Sequence, residues 1–136
     1  MDEQNRFLIV SLEGEPFALP VANLVEITVP RAVQKDPQLS ALFEGMMEYR
    51  GVMIPVADLK KILNIPGRPG PSLLVMKNTK GTLGFLVDTA VELLTAAEAP
   101  AQLPRGLMRD GQKIYAGILR KADELVLLLN VEGLLA

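Results

Sequence analysis

Four charged side chains stand where their neighbours could put them to chemical use: Glu26 in LVEIT (24–28), Arg50 before Gly51, Asp58 in VADL (56–59) and Asp88 in LVDTA (86–90). Asp88, in an apolar run, is a carboxylate of the kind that metal-free acid–base chemistry would use. Asp58 precedes Leu59, Ile62 and Leu63, apolar positions at helical spacing, so its simplest use is to cap a short helix by accepting from free backbone N–H groups. Glu26 and Arg50 carry opposite charges in or beside apolar segments. They are solvated, or paired with each other in an ion pair of little worth, or in contact with a partner. The chain has no His, Cys or Trp. The commonest general base, the thiol nucleophile, the disulfide and the usual zinc ligands are therefore missing, which leaves only carboxylate, Lys or Ser/Thr chemistry to an enzyme. A binding module is the simpler expectation, with no catalytic residue, cofactor or metal.

The 136 residues suffice for one domain with a real core. Sixteen acids against 14 bases give a net charge of −2, with the bases dispersed and only four Phe and two Tyr to stack on. A nucleic-acid surface needs a basic stripe, often interleaved with aromatics, so none is expected. The start, MDEQNR, is polar, and the longest apolar runs, such as LVLLL (125–129), fall far below the ~20 residues of a membrane helix. No membrane insertion and a cytoplasmic location follow as expectations.

The elements that must carry these residues are short. Eleven Gly and ten Pro exceed the usual share of ~12% and imply many turns. Phe7–Leu12 and Pro16–Leu19 flank Glu13-Gly14-Glu15 as a hairpin. Leu24–Val29 alternates, with Val25, Ile27 and Val29 on one face and Leu24, Glu26 and Thr28 on the other. Phe43–Tyr49 and Val52–Val56 are predicted strands around Arg50-Gly51, and Pro55 marks the second as an edge or a strand end. Val56 to Leu63 has helical spacing before the loop NIPGRPGPS (64–72). Leu73–Lys77 and Leu83–Asp88 form a predicted hairpin, Leu94–Pro104 an Ala- and Pro-rich connection, and Ile114–Lys121 and Leu125–Leu129 a last hairpin turning near Ala122-Asp123. Val131–Ala136 closes as one helical turn. About nine short strands predict an all-β barrel or sandwich with a few short helices. Arg105-Gly106 faintly repeats Arg50-Gly51, as two similar half-barrels would.

Four segments, in order, resemble the CheW-like domain, the fold of the coupling protein of bacterial chemotaxis. They are EPFALPVANLVEI (15–27), LFEGMMEYRGVMIPVADLKKIL (42–63), GTLGFLVDTAVELL (81–94) and LPRGLMRDGQKIYAGILRKADELVLLLNVEGLL (103–135). The resemblance implies two intertwined SH3-like five-stranded β-barrels in a single domain, 1–136, not separable as sequence segments. It further implies a non-catalytic adaptor that couples the cytoplasmic tip of a chemoreceptor to the regulatory CheW-like domain of a chemosensory histidine kinase. Glu26 and Arg50 match the family's Glu and Arg, which places them near one another beside a receptor groove. Gly45 and Gly51 match family glycines, and Leu24 and Leu93 match apolar positions thought to border that groove. For the glycines turn geometry, and for the leucines an ordinary core role, is the competing account.

Some positions depart from the family pattern. Glu44 replaces a usual base, Glu48-Tyr49 a common Asn-Leu, and Pro20 a frequent Asp. They leave room for an adaptor of a non-swimming chemosensory pathway, or for a fragment of a larger signalling protein. A remote alternative is a retroviral-type aspartic protease subunit built on Asp88, although Ala90 stands where its signature has Gly.

Overall fold

The computed structural model describes residues 5–96, 98–103 and 114–134. Strands β1 (Arg6–Leu12) and β2 (Glu15–Pro20) form the first hairpin. Its two turn residues, Glu13 and Gly14, both have positive φ, 51° and 83°. That is the tight turn whose twist matches the flanking strands. Strand β1 reads as one apolar run because both of its faces are covered. Leu8, Val10 and Leu12 point into one cluster, while Phe7 and Ile9 point into another.

A single 3₁₀ turn, Val21–Asn23, leads to β3 (Leu24–Thr28). After a loop come β4 (Phe43–Tyr49) and β5 (Val52–Asp58), the one-turn helix α1 (Leu59–Ile62), β6 (Ser72–Asn78) and β7 (Gly81–Val87). These five strands make one sheet in the order β3-β6-β7-β5-β4. Strands β8 (Thr89–Thr95), β9 (Tyr115–Lys121) and β10 (Glu124–Leu129) return to the first hairpin and complete a second sheet, β8-β1-β2-β10-β9. Each sheet has a single parallel pairing, β5 with β7 and β10 with β2, and is antiparallel elsewhere. The all-β class and the two five-stranded, SH3-like units are as the resemblance implied.

The second sheet is a circularly permuted copy of the first. Strand β8 takes the place of β3, β9 of β4, β10 of β5, and the β1–β2 hairpin that of β6–β7. The unit around β3–β7 occupies one run of chain, residues 24–87, and the other takes its strands from both flanks. The two units are thus interleaved along the sequence, one inserted within the other. The two meet in one apolar cluster that includes Leu8, Leu12 and Phe17 from one unit and Leu74, Met76 and Phe85 from the other.

Several expected boundaries shift. Thr89–Thr95 form a full strand that no expectation covered, overlapping the expected connection only at Leu94 and Thr95, because β8 is an edge strand whose residues are largely exposed and so lack a buried apolar signature. The predicted helix over Val56–Leu63 begins only at Leu59, since Val56, Ala57 and Asp58 pair with β7. Pro55 lies inside β5, yet β7 joins only from Val56, so at Pro55 the strand has β4 as its single partner. Arg105-Gly106 lies outside the described residues. By topology the counterpart of the Arg50-Gly51 turn is Ala122-Asp123, between β9 and β10, where Ala122 has φ 53°.

Candidate docking site at the Glu26 and Arg50 corner

The β4–β5 turn places Arg50 and Gly51 at positive φ, 50° and 83°, at the tip of their hairpin. The chain beyond β3 pairs Gln34 with Met46 through two 2.8 Å backbone hydrogen bonds, which draws β3 and β4, the two edges of their sheet, together. Arg50 thus reaches Glu26 on β3, with Nη2 to Oε1 at 3.0 Å. The hydroxyl of Tyr49 donates to the same Oε1, and the Arg50 guanidinium lies 5.1 Å from the Tyr49 ring centre. The Tyr49 hydroxyl is pushed above its ordinary pKa, first by its hydrogen bond to Glu26 and then by burial, so it remains a donor at neutral pH. Arg50 is 71% exposed. Beside the trio is a cleft of about 260 Å³ lined by Thr28, Val29, Arg31, Met47 and Glu48 as well.

The alternation along β3 is real, but its apolar face turns outward. Val25, Ile27 and Val29 are exposed, as are Val52 and Met53 at the start of β5. Leu24, on the other face, is half-buried against the core cluster common to both units, opposite Met76. Its surroundings are those of a core residue. Gly45 is buried, and a Cβ there would stand 2.2 Å from the Gln34 carbonyl oxygen and 2.7 Å from its carbon. Its task is to let the Gln34–Met46 bridge form. Gly51 faces open space. Leu93 is exposed on β8, in the other sheet, away from the corner in sequence and in pairing. The structure therefore brings together Glu26, Arg50 and Gly51, and leaves Gly45, Leu24 and Leu93 in separate settings.

Tyr49 is the member that sequence reasoning registered only as a departure. A similar pair stands in the permuted unit. Glu92 on β8 pairs with Lys121 at the end of β9 at 2.8 Å, the permuted counterpart of Glu26 with the β4–β5 turn. The signal was present in the sequence as Val25-Glu26-Ile27 and Val91-Glu92-Leu93.

Asp88 sits at the passage from β7 to β8. Its Oδ1 accepts from Lys60 Nζ at 2.7 Å and its Oδ2 from the Glu13 backbone N–H at 2.7 Å. Burial works to raise its pKa, but the Lys60 and Glu13 hydrogen bonds outweigh it and hold the carboxyl below the usual carboxylate range. Both oxygens are already engaged within the molecule, which does not favour a proton-sharing acid pair. The protease alternative is not favoured. Asp58 accepts from the Lys60 backbone N–H at 3.1 Å and is the helix cap that its position predicted. Among the described residues no group of three His, Cys, Asp or Glu side chains is placed to hold a metal ion, and no helix is long and apolar enough to cross a membrane.

Comparison with known proteins agrees with this geometry. The profile of the CheW-like domain matches residues 6–136. Chemotaxis protein CheW of Bacillus subtilis is 22% identical over 134 residues, covering 96% of this chain and 86% of that protein. Chemotaxis protein CheW of Thermotoga maritima is 25% identical over 138 residues, covering 98% and 91%. Among solved structures, the scaffolding protein TtCheW from Thermoanaerobacter tengcongensis superimposes with a TM-score of 0.85 at 22% identity, covering 96% of this chain and 92% of that one. With ten strands in two permuted sheets among the described residues and a match over nearly its whole length, the chain belongs to the CheW-like domain family.

Proposed function

We propose that this protein is a non-catalytic adaptor of a bacterial chemosensory pathway. It docks the cytoplasmic tip of a chemoreceptor and the regulatory domain of a histidine kinase, and works in the cytoplasm as one domain. The observation that carries this reading is the Glu26–Tyr49–Arg50 corner. It is a polar trio held in fixed geometry on a barrel exterior, bordered by apolar side chains that no part of the described chain covers. Apolar surface rimmed by polar groups is the makeup of a protein interface rather than of a reaction centre. The relatives named for chemotaxis and scaffolding supply the pathway. In this reading Arg50 and Glu26 orient the receptor groove, and Gly51 sets the turn that presents Arg50. No observation favours the non-swimming pathway, the larger signalling protein or an enzyme.

The test is a pull-down from the protein's own cytoplasm with wild type and Arg50→Ala, after far-UV spectra establish that both are folded. Recovery of a histidine kinase with chemoreceptors by wild type, and loss of the receptors by Arg50→Ala, is the expected result. Equal recovery by both would remove the corner from the function, and recovery of neither partner would remove the function itself.

A further inference from the structure

Lys60 is a lysine in the wrong place for a lysine. It is the first charged residue of α1, yet it is 2% exposed, while nearly every lysine in a folded protein keeps its ammonium in water. Three hydrogens on Nζ meet three acceptors: Glu13 Oε2 at 2.5 Å, Asp88 Oδ1 at 2.7 Å and the Arg68 carbonyl oxygen at 2.8 Å. The three acceptors come from three different pieces. Glu13 belongs to the β1–β2 turn of the permuted barrel, Asp88 to the passage between barrels, and Arg68 to the loop from α1 to β6.

The surroundings are shaped for this arrangement. A Cβ on Gly67 would stand 2.4 Å from Glu13 Oε2, and one on Gly70 would stand 2.1 Å from the Val87 carbonyl oxygen. Two glycines thus let the 64–72 loop lie against the seam. Apolar packing is non-directional. The cluster common to both units keeps the barrels in contact but supplies no directional bond between them. A saturated ammonium with one acceptor from each side does supply one, alongside Glu132 after β10, which accepts from the Thr79 N–H and hydroxyl in the β6–β7 turn.

We propose that Lys60 is a positioning residue that fixes the angle between the two barrels. Through that angle it sets the spacing between surfaces on opposite barrels. Only this last use rests on the adaptor reading; the fixed angle does not. A buried charge cluster used for geometric uniqueness rather than for net stability is a recognised role of such groups.

The chain has no Cys, so spin labels can be placed at will. Lys77→Cys on β6 and Glu124→Cys on β10 are exposed positions, one on each barrel. Pulsed electron resonance then reads the inter-barrel distance distribution in the full chain, with no partner present. One narrow distance is expected with Lys60, a distribution at least twice as wide in Lys60→Met, and an intermediate width in Lys60→Arg. A folded Lys60→Met with the original width would overturn the proposal. Should Lys60→Met not fold, Asp88→Asn is measured by the same criterion. Loss of folding in both would also overturn it, because the cluster would then be a condition for the barrels rather than for their angle. Because no partner enters the measurement, failure of the adaptor reading leaves this outcome unaffected.

Discussion

Replacing Gly45 by Ala is expected to cost far more than the same change at Gly51, although both match glycines of the family. At Gly45 the new methyl would lie 2.2 Å from the Gln34 carbonyl oxygen, 2.7 Å from its carbon and 3.1 Å from the Lys35 nitrogen. All three are backbone atoms, which cannot rotate out of the way. The loop must retreat, and the two 2.8 Å hydrogen bonds between Gln34 and Met46 go with it. At ~0.5–1.5 kcal/mol for each lost bond, plus polar groups left unpaired, the total is about 2–4 kcal/mol. At Gly51 nothing lies within 4 Å of the added methyl, and only the positive φ of 83° opposes it. That penalty is about 1–2 kcal/mol. With a urea slope of about 2 kcal/mol per molar, Gly45→Ala should lower the unfolding midpoint by about 1–2 M. The Gly51→Ala shift should be roughly half of that or less. Equilibrium urea unfolding followed by circular dichroism decides between the two. A Gly45→Ala midpoint equal to wild type, accompanied by lost receptor binding, would refute the argument and return Gly45 to the partner surface.

Arg50→Ala should leave the urea midpoint almost unchanged, because an ion pair this exposed is worth ~0–1 kcal/mol, while its effect on receptor recovery is large. A stability loss well above that range would mean that the corner holds the fold. Asp58→Ala should cost about 1 kcal/mol as a lost helix cap, and Asp58→Asn much less, in the same urea experiment. The Lys60 cluster predicts a pH dependence with two limbs. Asp88 is lowered when folded, so its contribution is present above the unfolded value of about 3.9 and is lost as pH falls through the folded value beneath it. For Lys60, burial works to lower the pKa but the hydrogen bonds to Asp88 and Glu13 outweigh it; the raised value gives a contribution present below about 10.4 and lost as pH rises through the folded value. Asp58, pushed up chiefly by burial, works in the opposite sense in acid, so the readout is wild type minus Asp88→Asn. That difference should shrink below pH 4; a constant difference would contradict the assignment.

What could be foreseen from sequence followed burial and turn chemistry. The hairpins around Glu13-Gly14, Arg50-Gly51 and Asn78–Gly81 were visible because strand runs of Val, Leu and Ile meet residues that accept positive φ. The Asp58 cap was visible because the helical spacing begins beside it. Strand β8 was hidden, since an edge strand that exposes Val91 and Leu93 shows no buried stripe. The outward turn of Val25, Ile27 and Val29 was equally hidden: alternation specifies two faces but does not say which meets the core. Lys60 could not be found from its neighbours, because its three acceptors lie 8, 28 and 47 positions away. Only the fold assembles it. The family pattern brought Glu26 and Arg50 together correctly and missed Tyr49, whose hydroxyl depends on this chain's own departure from that pattern.

The permuted connectivity bears on how the molecule is made. A ribosome releases β1 and β2 first, but the strands that flank them, β8 and β10, emerge after Val87. The barrel spanning 24–87 can close meanwhile, with every one of its strands already in hand. The early hairpin, with Phe7, Leu8, Ile9 and Val10 bare on a nascent polypeptide, must wait with sticky edges on offer. Leu8, Leu12 and Phe17 of that hairpin pack in the cluster to which the finished barrel contributes Leu74 and Phe85, so the completed half acts as a template that shelters the waiting one. Slowing translation just after residue 87 should therefore raise the yield of folded chains, whereas slowing it just after residue 20 should lower it.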